Sequence, residues 1–329
     1  MFIKNACADN NYYNMTNTVL APVRASGSAC IADNFGLSGA IYNPASLDLF
    51  RYPESPRFAF FINPTGAVAL VRDKNELSAN KHLDGVDWLN YAGIVFKGIG
   101  FSLPTFTAIL LLTEPLQNSL TSSDQKMDEM FTSKYVLDCN YDVLALKLKL
   151  ADQVAIGASG FLFSAGEKDA IKRSHGTSYG VQINPNTHVS VGVVYYNFPT
   201  LVSHYMLEQN RIIDETINIG INIRPYNSIS FNLDAYNVSE DNKKYTRELH
   251  IGLLAVPMDA MAIRAGMYRE QDSQLDVYSL GLGLINTNWF FSTDNSFSYN
   301  DFAINYSVQF WQKEKQNFYH HYLTFLLRF

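Results

Sequence analysis

Hydrophobic and polar residues alternate along most of this chain, and the alternation begins near residue 57. It is clearest at residues 217–224, where every odd position is aliphatic and every even position is polar or glycine. The same pattern recurs at residues 229–235, 249–253 and 302–308. Because successive side chains of a strand point to opposite faces, this period of two predicts β-strands with one apolar and one polar face.

The alternation predicts fourteen strands. Their predicted bounds are 57–72, 86–97, 99–113, 133–149, 152–165, 176–184, 187–198, 213–224, 227–237, 245–256, 259–270, 275–286, 301–312 and 318–329. Most of these segments reach the roughly 9–11 residues that a tilted strand needs to cross a bilayer. The sequence therefore predicts strands long enough to span a membrane.

The predicted connections alternate in length. One set consists of tight turns and a longer final connection, at 97–98, 150–151, 185–186, 225–226, 257–258 and 287–300. The other set is generally longer and more polar, at 73–85, 114–132, 166–175, 199–212, 238–244, 271–274 and 313–317. Short turns at one end and long loops at the other are typical of outer-membrane β-barrels, whereas a soluble sandwich has no reason to sort its loops this way.

Composition agrees with a folded β protein and excludes several classes. The chain has 329 residues, of which 47% are hydrophobic, 14% aromatic and 17% charged, with a net charge of −6. This much apolar surface excludes disorder. Because Lys and Arg form no basic cluster, we expect no nucleic-acid partner. No apolar run is long enough for a transmembrane helix, and residues 1–14 show no secretory signal, so we expect that an exported form has its signal upstream or removed.

No pattern in the chain predicts catalysis or metal binding. The sequence has no nucleophile-elbow motif, no phosphate-binding loop and no histidine spacing that indicates a metal site, so we expect a non-enzyme without a cofactor. The three cysteines are Cys7, Cys30 and Cys139. A disulfide between Cys7 and Cys30 is one expectation, and buried thiols are the favoured alternative.

Residues 1–56 lack the alternation and hold small, turn-forming residues, so we predict an N-terminal segment ahead of a barrel over 57–329. Within it, residues 29–47 resemble the plug of the FadL/TodX family of outer-membrane transporters for long-chain fatty acids and other hydrophobic compounds. The matching residues are Ala32 with Asp33, and Asn43-Pro44-Ala45 after an aromatic residue. The resemblance implies an all-β fold, a fourteen-stranded antiparallel transmembrane β-barrel with an N-terminal plug (hatch), and Asp33, Asn43, Pro44 and Ala45 as hatch residues.

The third predicted strand contains Gly100 and Pro104. Proline removes a hydrogen-bond donor from the ladder and is normally absent from central strands. In the family that the chain resembles, an inward kink of the third strand opens a gap through which ligand leaves sideways into the bilayer. The resemblance implies such an exit at Gly100 and Pro104, and the alternative is that Pro104 only ends a short strand.

Strand alternation also predicts which charges face the lumen; they are Lys147, Lys149, Arg224, Asp234, Glu248 and Arg264. An arginine binds a carboxylate through two parallel hydrogen bonds, so Arg264 first and Arg224 second are candidate partners for a fatty-acid carboxylate. The alternative is a structural network of these charges with Asp234 and Glu248. Phe161 and Phe163 share the face of Ser159 and are candidate lumenal aromatics.

These features predict passive uptake of a long-chain fatty acid or similar hydrophobic molecule across a bacterial outer membrane. The expected partners are that ligand, outer-membrane lipid and the barrel assembly machinery, which would recognise the C-terminal strand ending at Phe329. One alternative is a barrel that serves as an anchor or secretion partner without transporting small molecules. Another is a soluble all-β protein, because fourteen strands can also form two stacked sheets.

Overall fold

One continuous β-sheet dominates the computed structural model. The described residues are 11–14, 19–33, 36–50, 55–68, 70–71, 85–115, 139–165, 172–198, 215–239, 247–258, 261–270, 274–285 and 301–328. Within them α1 is Leu20–Ala25, α2 is Gly39–Tyr42 and α3 is Gly85–Val95, residues 64–68 are also helical, and 3-10 turns lie at Gly36–Ser38 and Pro44–Ser46.

The strands comprise one short N-terminal strand and fourteen barrel strands. They are β1 (Asn11–Asn14), β2 (Arg57–Ile62), β3 (Phe96–Ser102), β4 (Phe106–Pro115), β5 (Cys139–Ala151), β6 (Val154–Ala165), β7 (Lys172–Asn186), β8 (Val189–Asn197), β9 (Glu215–Tyr226), β10 (Ile229–Tyr236), β11 (Glu248–Met258), β12 (Met261–Glu270), β13 (Leu275–Ile285), β14 (Asp301–Lys313) and β15 (Gln316–Arg328).

The sheet closes on itself. Strands β2 to β15 pair antiparallel in chain order, and β15 also pairs with β2 through Leu327 opposite Ile62 and Arg328 opposite Phe61. Closure joins the first barrel strand to the last, so most of the backbone polar groups of the wall are paired without a second sheet. The prediction of a closed, fourteen-stranded antiparallel barrel is confirmed.

The two faces of the wall have opposite chemistry. In β9, Ile221 and Ile223 point outward and are 38% and 48% exposed, whereas Asn218 and Asn222 point inward and are fully buried. Outward-facing apolar side chains on many other strands extend this exposed surface, among them Leu144, Leu162, Phe231, Ile251, Ile263, Leu280 and Leu284. We call this surface the apolar belt. None of the described residues forms a helix that is long and apolar enough to span a membrane.

The first predicted strands are partly wrong. The predicted strand 86–97 is mostly α3, in which Tyr91 and Ile94 are buried three positions apart while Ala92 is exposed. The predicted strand 57–72 ends at Ile62, and residues 64–68 are helical. Apolar residues cluster so densely at 86–95 that a strand and a buried helix give similar patterns there.

The predicted strand 99–113 is a hairpin rather than one kinked strand. Residues 103–105 form the turn between β3 and β4, and Pro104 is exposed in that turn. Proline ends the pairing because it has no N–H to donate. The predicted turn at 97–98 is also wrong, since both residues lie in β3. One strand is lost and one gained, so the count stays fourteen. Most short turns lie at one end of the barrel, but the longer connection predicted at 313–317 is wrong, because β14 and β15 are joined at the other end by a two-residue turn at 314–315.

Residues 19–33 and 36–50 lie inside the barrel, and we call them the inner segment. Nearly all of its residues are buried, including Leu20, Ile31, Tyr42 and Leu47. Helix α1 packs on β12 to β15, whereas α2 and the turn at Pro44–Ser46 pack on β5 to β7. The core of the protein is therefore the contact between this segment and the inward face of the wall.

Candidate functional site

Carboxylates of the wall and of the inner segment hold the two together. The Asp234 side chain on β10 accepts hydrogen bonds from the backbone N–H groups of Cys30 and Ile31, at 2.6 and 2.8 Å. Hydrogen bonds to a charged acceptor are roughly twice as strong as those between neutral groups. Asp234 thus fixes the middle of the inner segment against β10.

The disulfide considered between Cys7 and Cys30 is not tested here, because Cys7 lies outside the described residues. Cys30 is buried.

The hatch residue Asp33 meets one of the predicted lumenal cations. Its carboxylate pairs with Arg224 at 3.0 Å and accepts a hydrogen bond from Asn232 at 3.0 Å. Arg264 is buried and donates to Asn305 at 3.2 Å. Both arginines lie near the end of the barrel that carries the short turns 103–105, 152–153, 187–188 and 227–228, which we call the turn end.

The hatch residue Asn43 links two parts of the inner segment. Its Nδ2 donates to the carbonyl of Ile31 at 2.8 Å, and its Oδ1 accepts from the backbone N–H of Ala45 at 3.1 Å. Gln182 of β7 donates to the carbonyl of Ala32 at 2.9 Å. The residues that carry the family resemblance therefore lie close together in space, with Pro44 at the start of the 3-10 turn that follows Asn43.

Glycines of the wall form a band beneath the inner segment. Three cross-strand pairs contribute to it: Gly157 with Gly180, Gly192 with Gly220, and Gly252 with Gly266. A Cβ atom at any of these positions would overlap the inner segment or a side chain that holds it. Because glycine has no side chain, the backbone of the inner segment can approach the backbone of the wall closely. The sequence analysis did not predict this band, although glycines at inward-facing strand positions indicate a close approach of another chain segment.

Five aromatic rings line the lumen at the end opposite the short turns, which we call the loop end. This aromatic cluster consists of Tyr141, Phe161, Phe163, Tyr196 and Phe198, all buried. Its ring centroids are 5.0–6.3 Å apart, within the range of favourable aromatic contacts. The predicted lumenal aromatics Phe161 and Phe163 are part of it, and the strand pattern alone did not single out the other three.

The aromatic cluster borders the inner segment. The Tyr196 hydroxyl donates to the carbonyl of Tyr42, and the Ser159 hydroxyl donates to the carbonyl of Ala40 at 2.7 Å. Helix α2 therefore lies directly below the rings. This arrangement places an apolar, aromatic surface on the lumenal side of the wall, next to the segment that fills the barrel.

A polar stack lies on the lumenal face of β10 to β12. His250 lies between Tyr236 and Tyr268, with ring centroids 4.3 and 4.6 Å away. Its Nδ1 is 2.7 Å from the carbonyl oxygen of Gly27, and the Tyr236 hydroxyl donates to the carbonyl of Ser28 at 2.8 Å. Its Nε2 is 3.3 Å from a Glu248 oxygen. This stack therefore holds residues 27 and 28 of the inner segment, shortly after α1, against β10 and β11.

Gly100 and Pro104 do not form a kink. Gly100 pairs with Ala59 and Ile109 in regular register, and the Leu49 side chain packs against it. Pro104 lies in the turn.

The seam of the wall lies where β15 meets β2 and β1. Leu327 and Arg328 pair with Ile62 and Phe61 of β2, and residues 319–322 pair in parallel with β1. The Arg328 side chain donates to the carbonyl of Leu49 at 2.9 Å, which ties the end of β15 to the inner segment.

Comparison with known proteins finds similarity only among solved structures. No family model and no curated protein matches the chain. The toluene transporter TbuX of Ralstonia pickettii aligns with a TM-score of 0.48 and 10% identity, over 96% of this chain and 98% of that one. The CymD monoaromatic hydrocarbon channel aligns with a TM-score of 0.48 and 9% identity, over 96% and 97%. A mutant of the Rhodopseudomonas blastica porin aligns with a TM-score of 0.36 and 12% identity, over 71% and 76%.

Proposed function

We propose that this protein is an outer-membrane channel for the passive uptake of hydrophobic small molecules, with long-chain fatty acids as the preferred class. The observation that carries the proposal is the buried aromatic cluster on the lumenal face of a wall whose outer face is the apolar belt. Ligand pockets are mostly apolar and aromatic with a few oriented polar groups, which describes this end of the lumen.

The apolar belt supports a membrane location. Monomeric proteins in water rarely expose a contiguous apolar surface larger than a few hundred Å², whereas a barrel in lipid presents one around its whole circumference. The outward face here is aliphatic and aromatic on strands throughout the barrel. The proposed site is the bacterial outer membrane, with its lipid around the belt and with the barrel assembly machinery as the partner that inserts it.

The inner segment supports a gated rather than an open pore. We assign residues 1–56 the role of a plug, and residues 57–329 that of the barrel. The contacts of Asp234, Asp33 and Asn43 hold the described part of this plug at its centre. A hydrophobic molecule would enter at the loop end, contact the aromatic cluster and pass the plug along a path opened by its local movement.

The seam supports a sideways exit. The hairpin at Pro104 is regularly paired, so the exit proposed here lies elsewhere, where β15 meets β2. Among the described residues, β15 and β2 share two registered pairs, whereas β14 and β15 share thirteen. Backbone pairing must be broken for lipid-side release, so opening the wall at this seam would break few pairs. The parallel strand β1 pairs with β15 beside the seam and would move with it.

Two substitutions at adjacent positions test ligand binding at the aromatic cluster. One changes an inward-facing residue, and the control changes the next residue, which faces outward. Phe161→Ala removes an inward ring, whereas Leu162→Ala removes an outward side chain from the apolar belt. In mild detergent, we expect Phe161→Ala to weaken binding of a hydrophobic fluorescent probe by about tenfold or more, because a buried aromatic contact is lost. Leu162→Ala should bind like wild type.

The migration of unheated and boiled samples on a gel shows whether each variant has folded into a barrel. Equal binding by Phe161→Ala and Leu162→Ala would contradict a lumenal site at the aromatic cluster. A folded wild-type barrel that binds no hydrophobic probe would contradict uptake and favour a role as an anchor or secretion partner.

A further inference from the structure

Lys97 and Glu114 form a buried ion pair in the wall near the loop end. The Lys97 Nζ is 3.1 Å from a Glu114 oxygen, and both side chains are fully buried. The sequence analysis did not single out either residue as a ligand-binding candidate. Charges within membrane-spanning segments are costly, and where they occur they mark ligand or ion paths.

Two irregularities of the wall turn these side chains inward. Between β2 and β3, Phe61 faces Gly98 and Ile62 faces Phe96, so Lys97 is an extra residue in β3. Between β4 and β5, Leu111 faces Val143 and Glu114 faces Tyr141, which leaves one extra residue in β4. Such bulges change the direction of a side chain, and they are common next to functional sites.

The second bulge is held in place by its own contacts. Thr113 has a positive φ of 52°, and its N–H donates to Asp142 at 2.8 Å. The carbonyl of Thr113 accepts from Lys97 Nζ at 2.7 Å, and that of Leu112 accepts from it at 3.3 Å. An ammonium group has three donors. Two therefore point at backbone carbonyls, and the third points at the Glu114 side-chain carboxylate.

The ion pair adjoins the aromatic cluster. Glu114 lies directly opposite Tyr141 in the β4–β5 ladder, and the Tyr141 ring is 5.9 Å from Phe163 and 6.3 Å from Phe161. A ligand whose apolar body lay on the rings would bring its end within reach of Lys97. The arginines that the sequence favoured lie at the turn end, and Arg224 is already paired with Asp33.

We infer that Lys97 is the head-group site for ligands with one carboxylate on an apolar body, and that Glu114 occupies this site until the ligand replaces it. The inference rests on the proposed function. The carboxylate of the ligand would take the third donor of Lys97, while the two backbone carbonyls keep the ammonium in place. Lys97 would thus set the preference for acids over neutral molecules of equal length.

The test compares dodecanoate with 1-dodecanol, which share an apolar chain and differ in the head group. In nonionic detergent, wild type should bind the acid more tightly than the alcohol by calorimetry. Lys97→Met should lose about tenfold or more of acid affinity, the factor expected for one charge-assisted hydrogen bond, and keep its alcohol affinity. Lys149→Met is the matched control, because Lys149 lies at the turn end and pairs with Asp152 at 2.8 Å.

Glu114→Gln separates ligand binding from a structural role. Removing the competing carboxylate should raise acid affinity several-fold, whereas a purely structural pair would weaken binding of both ligands. If Lys97→Met does not give a heat-modifiable barrel, Lys97→Met with Glu114→Met supplies the same comparison, since apolar replacement of both partners of a buried pair is commonly tolerated.

An acid-to-alcohol ratio that Lys97→Met leaves unchanged, or acid binding weakened by Glu114→Gln, would overturn the inference. In either case wild type would still bind the alcohol, so the proposed channel would stand. Wild type that binds neither ligand would instead refute the proposed function.

Discussion

At the scale of single residues, alternation decides which side chains meet lipid and which meet the inner segment. Ile221 and Asn222 are neighbours in β9, yet one is exposed and the other fully buried. The sequence was sufficient to assign these faces, because the strand period is two and the two environments differ in polarity. It was also sufficient to place Arg224, Asp234 and Arg264 inside.

The partners of these residues could not be read from the sequence. Arg224 and Asp33 are 191 positions apart, and nothing local connects them. Lys97 faces inward only because a bulge interrupts the alternation of β3. Strict alternation of inward and outward residues would place Lys97 on the outer face. The ion pair with Glu114 depends on two bulges, so the alternation of polar and apolar residues could not predict it.

The glycine band gives a prediction at this scale. At Gly180, a Cβ atom would overlap the side chain of Asn43, so we expect Gly180→Ala to destabilise the folded barrel by about 1–3 kcal/mol, the usual cost of overpacking. Gly160→Ala is the control, because its Cβ would have no heavy atom within 4 Å. The measurement is the temperature at which the compact gel band disappears. Equal temperatures for the two variants would contradict tight packing of the inner segment on the wall.

At the scale of elements, the sequence predicted the number of barrel strands and the end at which most short turns lie, but not the two-residue turn between β14 and β15 at the other end. It failed at β2 to β4. The helix α3 runs directly into β3, and its apolar residues are dense enough to imitate a strand. The hairpin turn contains Pro104, which marks the interruption correctly, but a proline within a strand pattern does not say whether the strand bends or ends.

The seam gives the prediction at this scale. The Cα atoms of Asn11 and Tyr319 are registered partners of β1 and β15. A disulfide between Asn11→Cys and Tyr319→Cys, in a chain with Cys7→Ser, would hold β1 on β15. We expect oxidation to reduce uptake of a labelled fatty acid by host cells at least several-fold while binding in detergent stays unchanged, because the proposed exit would be locked.

Reduction of the disulfide with a thiol reagent should restore uptake in the same cells and serves as the internal control. The Tyr319→Cys single variant shows whether the substitution itself matters. Full uptake by the oxidised double variant, with the crosslink demonstrated on a gel, would contradict an exit at this seam.

At the scale of the whole molecule, the barrel has an apolar outer face and an interior that the inner segment occupies. In the proposed function, lipid surrounds the apolar belt, the ladder of β2 to β15 pairs most of the backbone within it, and the inner segment closes the pore. The architecture was predictable because it repeats along the sequence. The register of β2 on β15 was not, since Ile62 and Leu327 come from opposite ends of the barrel sequence.

In the proposed function, hydrophobic molecules pass through the lumen along the aromatic cluster. The most direct measurement is uptake of a radiolabelled long-chain fatty acid by bacterial cells that lack such a transporter and carry equal surface amounts of wild type, Phe161→Ala with Phe163→Ala, or Leu162→Ala. Wild type and Leu162→Ala should both raise uptake well above cells without the barrel, and the double variant should lose most of that gain. Equal uptake by wild type and both variants would contradict passage along the aromatic cluster. No uptake by wild type would contradict the proposed transport of fatty acids.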